Sequence, residues 1–337
     1  MTLLLTEKDV RELLTMHDAI AAVEEVMRRQ AAGQAIVHPR HRLELPDKGF
    51  LHYMAGADVT AGFVGMKLYT SVHGALRFLV PLYRSTTGEL LALVEAEHLS
   101  MMRTGAASGV ATKFMARKEA STLALIGSGL QARGQIEAVA AVRNLTDVRV
   151  YSRNAERRAK FANEWEEKLE IPVNPVDSAE AAVHNADIIV TATTASKAVV
   201  EGAWIAAGTH INTIGANFPQ KRELDDTAVR RASRIVVDFV EQAKIEAGDL
   251  IQAFAANAAS WNSVHELSEV IAGKFPGREN ANEVTLFKSS GIAIWDVAVA
   301  AKVYELALAK GRGTQIPLWE TNSKAQSKSQ AKSQSKS

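Results

Sequence analysis

Between Thr6 and Gly33 the apolar positions Ile20, Val23, Val26 and Met27 recur at helical spacing and Gly33 supplies a stop, so the pattern predicts one helix here. The texture then changes. Arg42-Leu43-Glu44-Leu45 alternates, and Phe50–Met54, Val64–Thr70, Phe78–Tyr83 and Leu90–Val94 read as short strands separated by Gly, Pro and Asp. This is a meander, expected to form one antiparallel sheet. A helix rich in Ala and Met follows, from about Leu99 to Ala116, and Met66, Met101 and Met102 are expected in the core.

At Ser121 a second texture begins. Thr122–Ile126 is a continuous apolar run, as a strand buried on both faces requires. Helices ending near Val142 and spanning Ala155–Leu169 and Ala179–His184 then alternate with strands at Val148–Tyr151, Val173, Asp187–Val190, His210–Ile214 and Arg234–Val237. Such alternation indicates a parallel sheet with helices on both faces. Val284–Phe287 leads into a long helix, Ile292–Leu308. The expected fold class is α/β. A doubly wound domain covers residues 118–291. An α+β antiparallel-sheet domain covers residues 1–117, with the C-terminal helix, about 292–320, returning to it.

Between the first parallel strand and its helix, Gly127-Ser128-Gly129-Leu130-Gln131-Ala132 fits G-x-G-x-x-A. Gly127 permits the tight turn, Gly129 lets backbone approach a pyrophosphate, and Ala132 keeps the helix close to the sheet. The free N–H groups at that helix start face the phosphates. Dinucleotide binding is therefore expected. An NAD site usually carries an acid at the end of the second strand, but here the chain reads Tyr151-Ser152-Arg153-Asn154. Arg153 can stack on adenine and pair with a 2′-phosphate, Ser152 can donate to it, and Arg157 or Arg158 can add charge. NADP(H) is favoured, with NAD(H) the alternative. Thr104, Asn154, Thr191, Ala192, Thr193, Ile214 and Gly215 complete the expected cofactor set.

The 337 residues fit two domains, and 47% hydrophobic with 23% charged residues excludes a wholly disordered chain. No apolar run approaches the ~18–20 residues of a membrane helix. The first residues show no basic start or cleavage site, so no secretory signal is expected. The absence of cysteine removes disulfides and thiol chemistry and fits a cytoplasmic protein. The formal charge of +1 includes four lysines in residues 323–337, a stretch without acids that reads as a disordered tail. The remaining body is mildly acidic and carries no nucleic-acid footprint. His38, His41, His52 and His73 lack metal-site spacing, so no metal is expected, and no G-x-S-x-G elbow occurs.

Together, His38-Pro39-Arg40, Gly65-Met66-Lys67, the run Met102–Ser108, the glycine turn and the run His210–Asn217 resemble the ornithine cyclodeaminase/mu-crystallin family. The resemblance covers the chain to about residue 310. It implies a Rossmann cofactor domain, a sheet domain that binds substrate and pairs into a homodimer, and hydride exchange at the carbon between an amine or imine nitrogen and a carboxylate. It places Lys67 and Arg103 on the substrate carboxylate. Arg40 is a third candidate, with Arg42 left open as its rival because both project from one strand face. Lys67 and Asn217 are the expected catalytic pair.

Asn217 departs from the pattern. The resemblance places an aspartate here in cyclodeaminases, with an acid/base role, and Asn cannot exchange a proton near neutral pH. It can still orient an imine nitrogen, and hydride transfer to a preformed imine can take its proton from solvent or from Lys67. The expected activity is therefore NAD(P)H-dependent reduction of a small cyclic α-imino acid, Δ1-pyrroline-2-carboxylate or Δ1-piperideine-2-carboxylate, to L-proline or L-pipecolate. An alanine-type dehydrogenase, an ornithine cyclodeaminase and a non-catalytic NADPH-binding crystallin-like protein are the alternatives. Met54, Tyr69, Phe78 and Val80 are candidate pocket residues whose orientation the sequence leaves open, and His41 or His52 can face the substrate.

Overall fold

The computed structural model describes residues 1–46 and 49–318. The expected tail, 323–337, and the end of the segment expected at 292–320 lie outside the described residues. Among the described residues no helix is long and apolar enough to cross a membrane.

The helix expected from Thr6 to Gly33 is two helices, Glu7–Leu13 and Met16–Ala31. Thr6 and Thr15 each accept a hydrogen bond from the backbone N–H three residues on, at Asp9 and Asp18, whose carboxylates accept from the threonine backbones in return. Leu14, between the two, is extended. Apolar periodicity runs through this break and hides it. The second helix buries Ala19, Val23, Val26 and Met27.

The first sheet has eight strands. Its order is Thr314–Ile316, Thr2–Leu5, Leu90–Glu95, Ala75–Arg84, Phe63–Val72, Phe50–Asp58 and Ala35–Val37, and His41–Glu44 also pairs with Phe50–Asp58. The expected meander forms its antiparallel centre. Thr2–Leu5, which the pattern did not predict, joins in parallel beside Leu90–Glu95. Helices Met16–Ala31, Glu97–Met115 and Ala293–Lys310 pack in the same apolar core as this sheet, sharing Leu5, Val23, Met27, Leu82, Val94, Leu99, Val110, Trp295 and Val299. Met101 and Met102 lie in that core. Met66 does not: it pairs with Ala55 and is only half-buried.

The second sheet is wholly parallel: Val173–Pro175, Asp147–Tyr151, Thr122–Ile126, Ile188–Thr191, His210–Thr213, Val284–Lys288, Ala232–Val237 and Val264–Glu266. Separate apolar clusters cover its faces, as the doubly wound class requires. Strand order reverses between Thr122–Ile126 and Ile188–Thr191, so the carboxyl ends of these strands open a crevice there.

Two helices lock the sheets together. Glu97–Met115 runs against Leu130–Val142, and a Cβ on Gly105 would collide with the Gly134 carbonyl. Only glycines permit backbones this close. The contact brings Arg103 and Thr104 beside the glycine turn.

Candidate active site

A cleft of about 800 Å³ lies between the sheets. Arg40, His52, Lys67, Tyr69, Phe78, Ser100, Arg103 and Thr104 line one side. Gly129, Leu130, Gln131, Ala192, Thr193, Ile214, Gly215, Asn217, Phe218 and the turn Ser289–Gly291 line the other. Sharing Gly129, Ala192 and Thr193, a second groove of about 550 Å³ continues past Gly127, Ser128, Ser152, Arg153 and Arg157.

Three cations gather at the first cleft, all buried. Lys67, on strand Phe63–Val72, donates through Nζ to Ser100 Oγ and lies 3.2 Å from Asp296 Oδ1. Burial and the neighbouring Arg103 guanidinium lower its pKa to about 7, against the opposing pull of Asp296. Arg103 donates through Nε to the same Asp296 oxygen at 3.0 Å, and its Nη1 has no partner. Arg40 donates through Nη2 to the Ser290 and Gly291 carbonyls at 2.7 and 3.1 Å. Its Nε and Nη1 are buried without a hydrogen-bond partner, although Nη1 lies 3.5 Å from Glu246 Oε1. Unmade hydrogen bonds on buried charged groups are costly, so these donors fit an incoming anion.

Arg40 and Arg42 both pair with Glu246 but otherwise touch different groups. Arg42 pairs with Glu246, donates to the Asn217 carbonyl at 2.8 Å and lies 4.4 Å over the Phe218 ring. Arg40 precedes strand His41–Glu44 instead of sitting within it, and it alone of the two lines the cleft. Arg42 thereby holds the backbone of Asn217, which lines the cleft with Phe218.

The same wall is aromatic beside the cations, with Lys67 Nζ 5.0 Å from the Phe78 ring centre. His52 stacks on Tyr69 with centroids 4.2 Å apart, and Tyr69 meets Phe78 at 4.9 Å. Burial, with help from Arg40 and Arg42, lowers the His52 pKa to about 4, so this imidazole is neutral at ordinary pH. His41 is exposed and stacks on Tyr53. Met54 lies beneath Arg40, 3.9 Å from its Nη2, while Val80 belongs to the core.

In the nucleotide groove, Gly127 adopts φ +121°, and a Cβ there would strike the Ala192 carbonyl. A Cβ on Gly129 would meet only open space, and helix Leu130–Val142 begins there without a side-chain cap. Its first N–H groups are thus left for a ligand. Ala132 is buried, in keeping with its packing role. Ser128 and Ser152 share a 2.9 Å hydrogen bond. Asn154 caps the next helix by accepting from the Arg157 N–H.

Two cofactor candidates are turned elsewhere. Arg158 donates to the Ser152 carbonyl and to Asp177, so Arg157, not Arg158, joins Arg153 along the groove. Thr191 is fully buried, and its hydroxyl is bonded to Thr213 and Glu223. Sequence reasoning missed Glu223, which also accepts from the Thr193 and Gly215 backbone N–H groups and so ties the loops carrying them together. Burial, then Asp249, raises its pKa. Asp296 was missed too, although a lone acid within Ile292–Ala301 is a visible signal.

The family model for the ornithine cyclodeaminase/mu-crystallin family matches residues 1–311. The chain is 39% identical to the alanine dehydrogenase of Archaeoglobus fulgidus, an alignment covering 94% of this chain and 98% of that one. It is 36% identical to a Δ1-pyrroline-2-carboxylate reductase of Bacillus thuringiensis subsp. konkukian, over 93% and 99% of the two chains. The structure of Thermococcus litoralis Δ1-pyrroline-2-carboxylate reductase in complex with NADH and L-proline superposes with a TM-score of 0.90, at 38% identity, covering 94% of this chain and all of that one. With its two sheets, buried cations and glycine turn, the chain belongs to the ornithine cyclodeaminase/mu-crystallin family.

Proposed function

We propose that this protein is an NAD(P)H-dependent reductase of small cyclic α-imino acids, converting Δ1-pyrroline-2-carboxylate or Δ1-piperideine-2-carboxylate to L-proline or L-pipecolate. The observation that carries this reading is the set of buried cations, Arg40, Lys67 and Arg103, with unpartnered donors on both arginines, facing the inner end of a dinucleotide groove. The likeness to two pyrroline-2-carboxylate reductases over nearly full length supports it.

The bound nicotinamide supplies the hydride. Arg40, Arg103 and Lys67 bind the substrate carboxylate, and Arg's paired donors fix its plane. Asn217 orients the imine nitrogen. Lys67, with its pKa near 7, can deliver the proton that nitrogen takes up. Tyr69, Phe78 and neutral His52 exclude water from the carbon skeleton. Gly127, Gly129 and the uncapped helix start hold the pyrophosphate, and Ser152, Arg153 and Arg157 favour a 2′-phosphate, hence NADPH over NADH.

A homodimer completes the proposal. On the sheet face away from the cleft, Leu43 pairs with Leu51 and Tyr53 with Leu68, and Leu43 and Tyr53 are exposed. Such an apolar sheet face favours burial against a second copy.

A panel of cyclic imines and 2-oxo acids, with NADPH and NADH oxidation followed in parallel, tests the reading. Turnover of the imines without added ammonia is expected. The 39% identity to an alanine dehydrogenase supports a second reading, amination of a 2-oxo acid, and activity only with ammonia would establish it. Ornithine conversion by the unmodified protein would overturn the reductase assignment.

A further inference from the structure

Asp296 lies one helix away from the cleft and does not line it, yet both cations that define the cleft floor converge on one of its oxygens. Lys67 Nζ is 3.2 Å and Arg103 Nε 3.0 Å from Oδ1. The carboxylate is fully buried, and Oδ2 has no hydrogen-bond partner. It sits in the first turn of helix Ala293–Lys310, whose neighbours Ile294, Trp295 and Val297 are all core residues. A lone carboxylate in such surroundings costs several kcal/mol unless charges offset it. Its position is therefore informative: its contacts are with these two cations, and its charge also reaches Arg40.

We propose that Asp296 is a positioning residue for imine reduction: it holds Lys67 and Arg103 in register and keeps Lys67 an ammonium able to pass a proton to the substrate nitrogen. The proposal rests on the reductase reading above.

The charge balance around Lys67 supports it. The helix Glu97–Met115 brings Arg103 and Ser100 to it, the loop before His41 brings Arg40, its own strand brings Tyr69, and helix Ala293–Lys310 brings Asp296. Its Nζ lies 5.6 Å from the Tyr69 ring centre and 5.0 Å from that of Phe78. Glu97 lines the same cleft at its exposed rim. Two guanidinium groups thus oppose the ammonium, and Asp296 is the carboxylate in contact with it. Removing that carboxylate leaves Lys67 facing only like charge, which releases its proton at lower pH.

The test compares the unmodified protein with Asp296→Asn. Trace labelling with acetic anhydride, read by mass spectrometry on the Lys67 peptide, reports the fraction of neutral amine at each pH and needs no substrate. The labelling midpoint of Lys67 should fall by about 1–3 pH units in the variant. The alkaline fall of imine reduction should move by the same amount, while NADPH binding is retained. An unchanged Lys67 midpoint in a folded variant overturns the proposal. A shifted midpoint in the variant together with an unmodified protein that reduces no imine leaves the Asp296–Lys67 pairing standing and sinks the reductase reading instead. If Asp296→Asn does not fold, the double variant Lys67→Met/Asp296→Asn decides. Folding of the double variant comparable to Lys67→Met alone supports a paired role. Failure of the double variant where Lys67→Met folds shows that Asp296 serves the helix itself and overturns the proposal.

Discussion

On the proposed reading, Lys67 is the residue on which most of the chemistry turns. If it donates the proton to nitrogen, reduction requires its ammonium form, so turnover should fall as pH rises through about 7, and the reverse oxidation should rise over the same interval. A pH–rate profile in both directions checks this. Lys67→Ala should cut reduction by about 10²–10⁴. NADPH should still bind, because the glycine turn holding it is separate, and cofactor fluorescence measures that half. Arg153→Ala should weaken NADPH more than NADH, as dissociation constants for the two will show; equal losses would mean that Arg153 does not meet the 2′-phosphate. The glycine turn was legible as a local pattern, whereas Lys67 and Arg103 stood out only through the family resemblance; the structure brings both to the cleft. The sequence could not choose between Arg40 and Arg42, since they differ in their contacts with distant turns, Arg40 with Ser290 and Gly291 and Arg42 with Asn217. That Arg158 turns to Asp177 was hidden for a related reason: helix periodicity does not say which of two adjacent arginines a distant acid will capture.

Among the elements, the parallel strands were legible because continuous apolar runs and alternating helices leave few other readings. The short strands Thr2–Leu5 and Thr314–Ile316 were not, since each exists only by pairing with a distant partner. The break at Leu14–Thr15 was written in the spacing of Thr15 and Asp18, beneath a stronger apolar rhythm. Thr15→Ala should cost about 1 kcal/mol of stability, read as a lower denaturation midpoint, without altering turnover per folded molecule. The contact of helices Glu97–Met115 and Leu130–Val142 is far less forgiving. Gly105→Val should force them apart, costing at least the ~1–3 kcal/mol of an overpacked core. It should also depress turnover by displacing Arg103, and melting curves together with kcat/KM measure both effects.

For the molecule as a whole, the exposed apolar face around Leu43 and Tyr53 leads us to expect a dimer at micromolar protein. Sedimentation giving only a ~36 kDa species would count against that face as an interface. The second consequence comes from the glycine-to-glycine contact of Gly105 with Gly134. On the proposed assignment of Arg103 to the carboxylate grip, it makes the spacing between that grip and the glycine turn a fixed dimension of the frame. The rings of Phe78, Tyr69 and His52 stand on strands outside it and can be exchanged without touching that dimension. Grip and reactive carbon then form a constant handle to which side chains of different shape can be fitted. Diversification of substrates on this frame is therefore a matter of repainting one wall, and a laboratory library confined to that wall should change which acid is reduced before it changes whether hydride moves at all.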